Sequence, residues 1–138
     1  MKTWLGLDYG LRRIGIAAST GPLALAVTTH EEGRDGSVLA VLRALVEERD
    51  AAGFVLGLPL TADGRETGMA EKARRFGRRL EKEFGLPVEL WDERFSSAEA
   101  DRGLAEAARP PRGARDAEAA RIILQSWLDA HDGEREES

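Results

Sequence analysis

The chain has 138 residues, 42% hydrophobic and 33% charged, with a formal net charge of −5. That length and balance fit one soluble globular domain with a sizeable core and exclude wholesale disorder. There is no cysteine and there are only two histidines, His30 and His131. Disulfides and thiolate metal sites are therefore excluded, and a histidine-rich metal site or a Ser-His-Asp triad is poorly supported. No apolar run approaches the roughly 20 residues of a membrane span. The first residues read as a strand, not as a basic–apolar–small leader. The expectation is a cytoplasmic protein with no membrane partner.

The negative total is unevenly spread. From residue 131 onward one arginine faces four acids, and this acidic tail is expected to be disordered. Between Arg65 and Lys82 seven basic residues stand against three acidic ones. A basic face of that kind can engage phosphate whatever the total charge.

Residues 3–9 and 14–19 read as two strands joined by a tight Gly-Leu-Arg-Arg turn. In the first, Leu5 and Leu7 alternate with Gly6 and Asp8, so Asp8 lies on the face opposite the leucines. A carboxylate inside an apolar strand is costly unless its charge is compensated, and Gly6 and Gly10 leave room for a ligand beside it. A turn-proximal Asp bonding the following backbone is the plainer alternative. Residues 23–29 form a third strand after Gly21-Pro22, which gives an antiparallel meander.

Val38, Leu39, Leu42, Leu45 and Val46 recur at helical spacing within a helix over about 35–49. Residues 53–58 (GFVLGL) are a buried parallel strand, and 59–67 (PLTADGRET) a loop with turn chemistry at Asp63-Gly64. A long helix follows over about 67–84, with Ala73, Phe76, Leu80 and Phe84 on its apolar face, stopped by Gly85 and Pro87. Residues 88–91 make a fifth strand that runs into Asp92-Glu93-Arg94. Capping-box spacing at Ser96-Ser97-Ala98-Glu99 starts a helix to about 108. Residues 109–113 (RPPRG) break it as a mobile basic loop. Asp116 opens a last helix with Ala119, Ile123, Trp127 and Ala130 inward.

The order β-β-β-α-β-α-β-α-α describes an α/β fold of ribonuclease H-like layout. It is a mixed five-stranded sheet with helices on its faces, in a single domain over 1–130 with the tail 131–138 beyond it. In that layout Asp8, Glu93 and Asp116 lie where chain ends converge. Converging carboxylates raise one another's pKa unless a cation intervenes. Oxygen-only ligation suits Mg²⁺ or Mn²⁺, and two such ions about 3.5–4 Å apart support phosphodiester cleavage without a histidine base.

Each acid also has a plainer role open to it. Asp116 can be an N-cap, and Glu93 can pair with Arg94. Asp92 competes with Glu93, because neighbours on an extended chain point oppositely. His30 and His131 read as exposed polar residues, and the basic helix as a solvated face with few alternating acids.

The segments LGLDYGLRRIGIA, GLPLTADGRETGMAEKARRF, DERFSS and DAEAARIILQSWL, in this order over residues 3–129, resemble the YqgF (RuvX-like) family. Its members are described as Holliday junction resolvases and as nucleases that mature the 5′ end of precursor 16S ribosomal RNA. The resemblance implies metal-binding acids at Asp8, Glu93 and Asp116. It also implies a substrate-side loop at Gly57–Pro59 with Asp63-Gly64. The chain departs from many relatives in its arginine-and-proline segment 109–115, where a longer lysine-rich segment is common, and in Phe-Ser-Ser after DER.

The leading expectation is a metal-dependent endonuclease of structured nucleic acid, precursor rRNA before branched DNA, with ribosomal particles as partners and a monomer or homodimer as its state. Arg12, Arg13, Asp63, Lys72, Arg74, Arg75, Arg78, Arg112 and Arg115 are the expected substrate contacts, positioning phosphates without reading sequence. The alternatives are a non-catalytic nucleic-acid module and an ATP-binding module. For the latter, Gly-x-Asp-x-Gly is apt but a second domain is missing.

Overall fold

A computed structural model describes residues 2–33, 36–95 and 112–131, with the main chain alone at 112–115. Strands β1 (Thr3–Asp8), β2 (Arg13–Thr20) and β3 (Leu23–Glu31) are followed by helix α1 (Val38–Arg49), strand β4 (Ala51–Leu58), helix α2 (Gly68–Phe84), strand β5 (Val88–Asp92) and helix α3 (Arg112–Ala130). The sheet order is β3-β2-β1-β4-β5. The first three strands pair antiparallel, and β4 lies parallel between β1 and β5. This is the expected mixed five-stranded ribonuclease H-like sheet.

The helix ends follow local chemistry. The Ser37 hydroxyl accepts from the Leu39 amide at 3.2 Å, and the Thr67 hydroxyl from the Ala70 amide at 3.1 Å. Each satisfies an amide that a helix start leaves without a partner. Gly85 closes α2 in the left-handed region at φ +65°, where a missing Cβ removes the steric cost.

Two cores lie on opposite faces of the sheet. Leu5 and Leu7 of β1 join Leu42 and Leu45 of α1 with Ala73, Phe76 and Leu80 of α2. On the other face, Val55 of β4 and Ala17 of β2 pack against Ala120, Ile123, Leu124, Trp127 and Leu128 of α3. Close approach of α3 depends on absent side chains. A Cβ at Gly6 would lie 2.6 Å from the Leu124 Cβ, and one at Gly15 would lie 1.8 Å from the Asp116 carbonyl oxygen. Gln125 fixes the helix along its axis. Its side chain accepts from the Ala24 amide at 2.8 Å and donates to the Pro22 carbonyl at 2.9 Å.

Several sequence expectations are corrected. The last helix begins at Arg112, not at Asp116. A proline pair cannot lie inside a helix, but it permits one to start beside it. Arg112 and Gly113 are therefore helical, and Asp116 lies inside the helix rather than at its cap. The buried residues of α3 are Ala117, Ala120, Ile122, Ile123, Leu124, Trp127 and Leu128; Ala119 is half-buried and Ala130 is exposed.

His30 is only 2% exposed. The β2–β3 register shifts between Ile16 and Ala17, making Val27 an extra residue, and this places His30 opposite Ile14 on the first core's face. Its Nε2 lies 3.2 Å from Glu32 Oε1. His131 is not free in a tail either: its ring stacks on Trp127, and Nδ1 is 2.8 Å from the Trp127 carbonyl oxygen. The expected helix over 96–108 and the tail beyond residue 131 lie outside the described residues.

Candidate active site

The period-two pattern of β1 determines where Asp8 goes. Leu5 and Leu7 are committed to one core, so Gly6 and Asp8 face α3. Asp8 ends its strand in register with Gly15 of β2. Two strands away, β5 ends at Asp92 beside Leu58, and the Glu93 amide donates to the Leu58 carbonyl at 3.1 Å. That bond holds Glu93 at the end of the parallel strands. Its side chain then lies over Gly57, where a Cβ would come within 2.7 Å of Glu93 Oε1. A glycine at 57 leaves the room that the Glu93 carboxyl occupies.

Asp8 and Glu93 meet there in a hydrogen bond. Burial, the Glu93 charge and that bond push the Asp8 carboxyl up to about 8, and Asp116 adds to the shift. Glu93 is raised as well, first by burial and then by the Asp92 charge, against the lowering effect of the hydrogen bond from Asp8. Two adjoining half-buried carboxyls resist ionising together unless a cation compensates them.

Asp116 is brought to the same end of the sheet by α3, near enough for its charge to act on Asp8. Its carboxylate is turned to Arg13, whose Nε lies 3.0 Å from Asp116 Oδ2 and whose Nη1 lies 3.5 Å from Glu31 Oε1. The three expected acids are thus gathered as a half-buried pair with a third held by an arginine. Among the described residues no group of three His, Asp or Glu side chains is placed to hold a metal ion together. The pair itself fits a hard divalent cation: its donors are all oxygen, and both carboxyls are held above their ordinary range by surroundings that a cation would offset.

Asp92 points away from the pair. Its carboxylate takes the Arg94 guanidinium at 2.6–3.1 Å and the Arg94 amide at 2.9 Å, and these bonds hold it below the usual carboxylate range. The expected alternative, Arg94 paired with Glu93, gives way to an i,i+2 contact at the strand end, where the Asp92 carboxylate accepts the Arg94 amide as in an Asx-turn.

The remaining expected contacts are dispersed over the surface. Arg12 is exposed beside the β1–β2 turn, and Asp63 is exposed in the 59–67 loop, bonded to the Thr61 hydroxyl and to Arg65. On α2, Lys72 and Arg78 are exposed, whereas Arg74 pairs with Glu66 and Arg75 with Glu71. The solvated-face alternative therefore holds for two of these arginines. Arg112 and Arg115 lie in the first turns of α3, and their side chains are outside the described set. Sequence reasoning missed the attachment of Arg13 to Asp116, the clearance at Gly57 and the reach of Arg94 into the 59–67 loop. Only the Asp92–Arg94 spacing carried a signal.

A mixed sheet of this order, with helices on both faces and a carboxyl pair where the parallel strands end, is a ribonuclease H-like fold. The chain belongs to the RuvX family, whose model, described as "RuvX: Holliday junction resolvase", matches residues 2–130. It is 44% identical over 138 residues to a "Putative pre-16S rRNA nuclease" of Koribacter versatilis, covering 96% of this chain and 90% of the relative. It is 46% identical over 136 residues to the protein of the same description in Anaeromyxobacter dehalogenans strain 2CP-1, covering 94% and 97%. The solved structure described as "T. thermophilus RuvC in complex with Holliday junction substrate" superposes with a TM-score of 0.63 at 12% identity, over 94% of this chain and 96% of that one. At that identity the likeness is one of fold. No helix among the described residues is long and apolar enough to cross a membrane.

Proposed function

We propose that this chain is a divalent-metal-dependent endonuclease that cleaves structured RNA, with the 5′ end of precursor 16S rRNA as its substrate. The observation that carries the reading is the Asp8–Glu93 pair, two adjoining half-buried carboxyls that their surroundings hold above the usual carboxylate range. Asp8, Glu93 and Asp116 would hold Mg²⁺ or Mn²⁺, in one or two ions, and the metal when bound supplies Lewis-acid activation for phosphodiester hydrolysis.

The chain's own residues supply the rest. Glu93 and Ile123 both lie over Gly57, and the partial burial of the two acids strengthens the effect of any charge placed beside them. Arg12, Lys72, Arg78 and the neighbouring arginines of α2 grip backbone phosphates, which gives affinity without sequence reading. Arg112 and Arg115, at the start of α3, are further candidates for phosphate contact in the same reading. The names of the relatives favour precursor rRNA over a DNA junction, and such a substrate implies a cytoplasmic enzyme working on ribosomal particles. A single nuclease unit over 1–130 agrees with the family match over 2–130.

The test is cleavage of precursor 16S rRNA and of a four-way DNA junction by purified protein with Mg²⁺ or Mn²⁺, with Asp8→Asn as control. Metal-dependent cleavage of the RNA, lost in the mutant, is the expected result. Preference for the junction would reassign the substrate. Turnover undiminished in Asp8→Asn would remove the active-site assignment.

A further inference from the structure

Resting on the nuclease reading above, we infer that Arg94, anchored by Asp92, is a positioning residue that clamps the 59–67 loop beside the carboxyl pair and so sets the register of a bound nucleic-acid strand.

The loop closes on itself at its base. Leu60 bridges Glu66, the Thr61 amide donates to the Arg65 carbonyl at 2.9 Å, and the Thr67 hydroxyl donates to the Pro59 carbonyl at 3.1 Å. Its tip is a turn held by its own exposed groups: the Gly64 amide donates to the Thr61 carbonyl at 2.9 Å, the Arg65 amide to the Thr61 hydroxyl at 3.0 Å, and Asp63 bonds the Thr61 hydroxyl and the Arg65 side chain. Thr61, Ala62, Asp63 and Arg65 are exposed, and none brings an apolar side chain to the core. Arg94 reaches this tip from the far side of β5. Its Nη1 donates to the Ala62 carbonyl at 3.2 Å. A Cβ built on Gly64 would lie 3.2 Å from Nη1 and 3.5 Å from Nη2, so the guanidinium lies against the turn itself.

The other edge of the same guanidinium is fixed by Asp92, through Nε at 2.9–3.1 Å and Nη2 at 2.6 Å. A planar fork bound on two edges transmits position, and a lysine ammonium on its flexible stem cannot reproduce it. Segment 92–94 thus ties the loop twice. Glu93 bonds the Leu58 carbonyl at the end of β4, just before the loop, and Arg94 bonds the carbonyl at its tip. Because Glu93 lies between the two clamp residues, the loop tip and the Glu93 carboxyl move as one body. A strand lying along the loop is then presented to the acids at a fixed distance. Misplacement of about 1 Å at such a site costs on the order of 10²-fold in rate.

The experiment compares Arg94→Ala, Arg94→Lys, Asp92→Ala and the Arg94→Ala/Asp92→Ala pair with wild type, by two readouts. The first is trypsin nicking after Arg65 in the substrate-free protein, alongside its melting temperature. Both alanine variants should be nicked several-fold faster at Arg65 with little change in melting temperature. The second is kcat/KM for RNA cleavage. Each alanine variant should fall about 10–100-fold, the double variant no further than the worse single one, and Arg94→Lys should not be rescued.

Unchanged nicking at Arg65 in both alanine variants would overturn the clamp. So would a loss in Arg94→Ala alone with equal or faster cleavage by Asp92→Ala, because Arg94 would then be touching phosphate directly. A wild type that cleaves no nucleic acid sinks the nuclease reading instead, and the nicking rates still decide the clamp.

Discussion

Arg13 Nε and Asp116 Oδ2 lie 3.0 Å apart although 103 positions separate the two residues. The ion pair joins the start of β2 to the first part of α3, across the glycine at position 15 that lets the helix backbone approach the sheet. It also brings a positive charge to the acidic end of the sheet.

Removing that charge should expose the repulsion it offsets. Arg13→Gln is expected to lower the melting temperature in EDTA, by an amount on the order of 1 kcal/mol, since partly exposed ion pairs contribute about 0.2–1. Excess Mg²⁺ should recover part of the loss, because bound cation takes over the neutralisation. Thermal melts in EDTA and in Mg²⁺ measure both quantities, and an identical deficit in the two conditions would leave Arg13 with no electrostatic link to the metal site.

Asp8→Asn should lower cleavage by about 10²–10³-fold or more, the scale of losing one group that stabilises the transition state. It should also raise stability. The Asp8 carboxyl ordinarily titrates near 3.8 and is pushed up to about 8 in the folded protein. Between those values the folded state holds a proton that the unfolded chain has released. Metal-free wild type should therefore lose stability as pH rises from about 4 through 8. Asp8→Asn removes that slope and gains on the order of 1 kcal/mol at neutral pH. Melts across this pH range in EDTA show it, and parallel curves for the two proteins would mean the carboxyl is not strained.

Glu93 and Asp92 should separate cleanly. Glu93→Gln is expected to resemble Asp8→Asn in cleavage. Asp92→Asn keeps an acceptor for Arg94 and should stay within about tenfold of wild type, the cost of weakening one hydrogen bond. Equal losses in the two variants would show that Asp92 shares the site.

Two glycines should report different things. A Cβ at Gly57 meets the Ile123 Cδ1 at 2.6 Å and Glu93 Oε1 at 2.7 Å, both ends of flexible side chains. Gly57→Ala should thus move the Glu93 carboxyl and reduce cleavage more than it reduces the melting temperature. A Cβ at Gly15 meets backbone of α3 at 1.8 Å. Gly15→Ala should destabilise by about 1–3 kcal/mol or more, as overpacking against an immovable neighbour does. Chemical denaturation and rate measurements on both variants rank them, and the reverse order would contradict the packing.

Charge reversal of Arg74, Arg75 and Arg78 should weaken RNA binding and make its salt dependence shallower. The log–log slope should fall by about 0.7–0.9 for each phosphate that the protein no longer neutralises. Metal binding should be unaffected. Binding isotherms at several salt concentrations test this, and an unchanged slope would move the phosphate-binding surface to another face.

The sequence by itself determined the strand that carries Asp8, the face on which it lies, the helix stops at Gly85 and the five-stranded mixed sheet. Those features follow from periodicities of two and 3.6 residues and from glycine and proline chemistry, all of them local. It set Asp92 and Glu93 in competition for one site, and the choice of Glu93 needed the family resemblance as well as strand alternation. Tertiary structure alone decided that Asp8 and Glu93 adjoin, that Asp116 is turned to Arg13, that His30 is buried by a register shift, and that Arg94 reaches the 59–67 loop. Each of these depends on a distance between segments remote in the chain, fixed by how closely α3 and β5 approach the central strands. Missing side chains at Gly6, Gly15 and Gly57 set those approaches, and no local pattern shows which glycine has a neighbour above it.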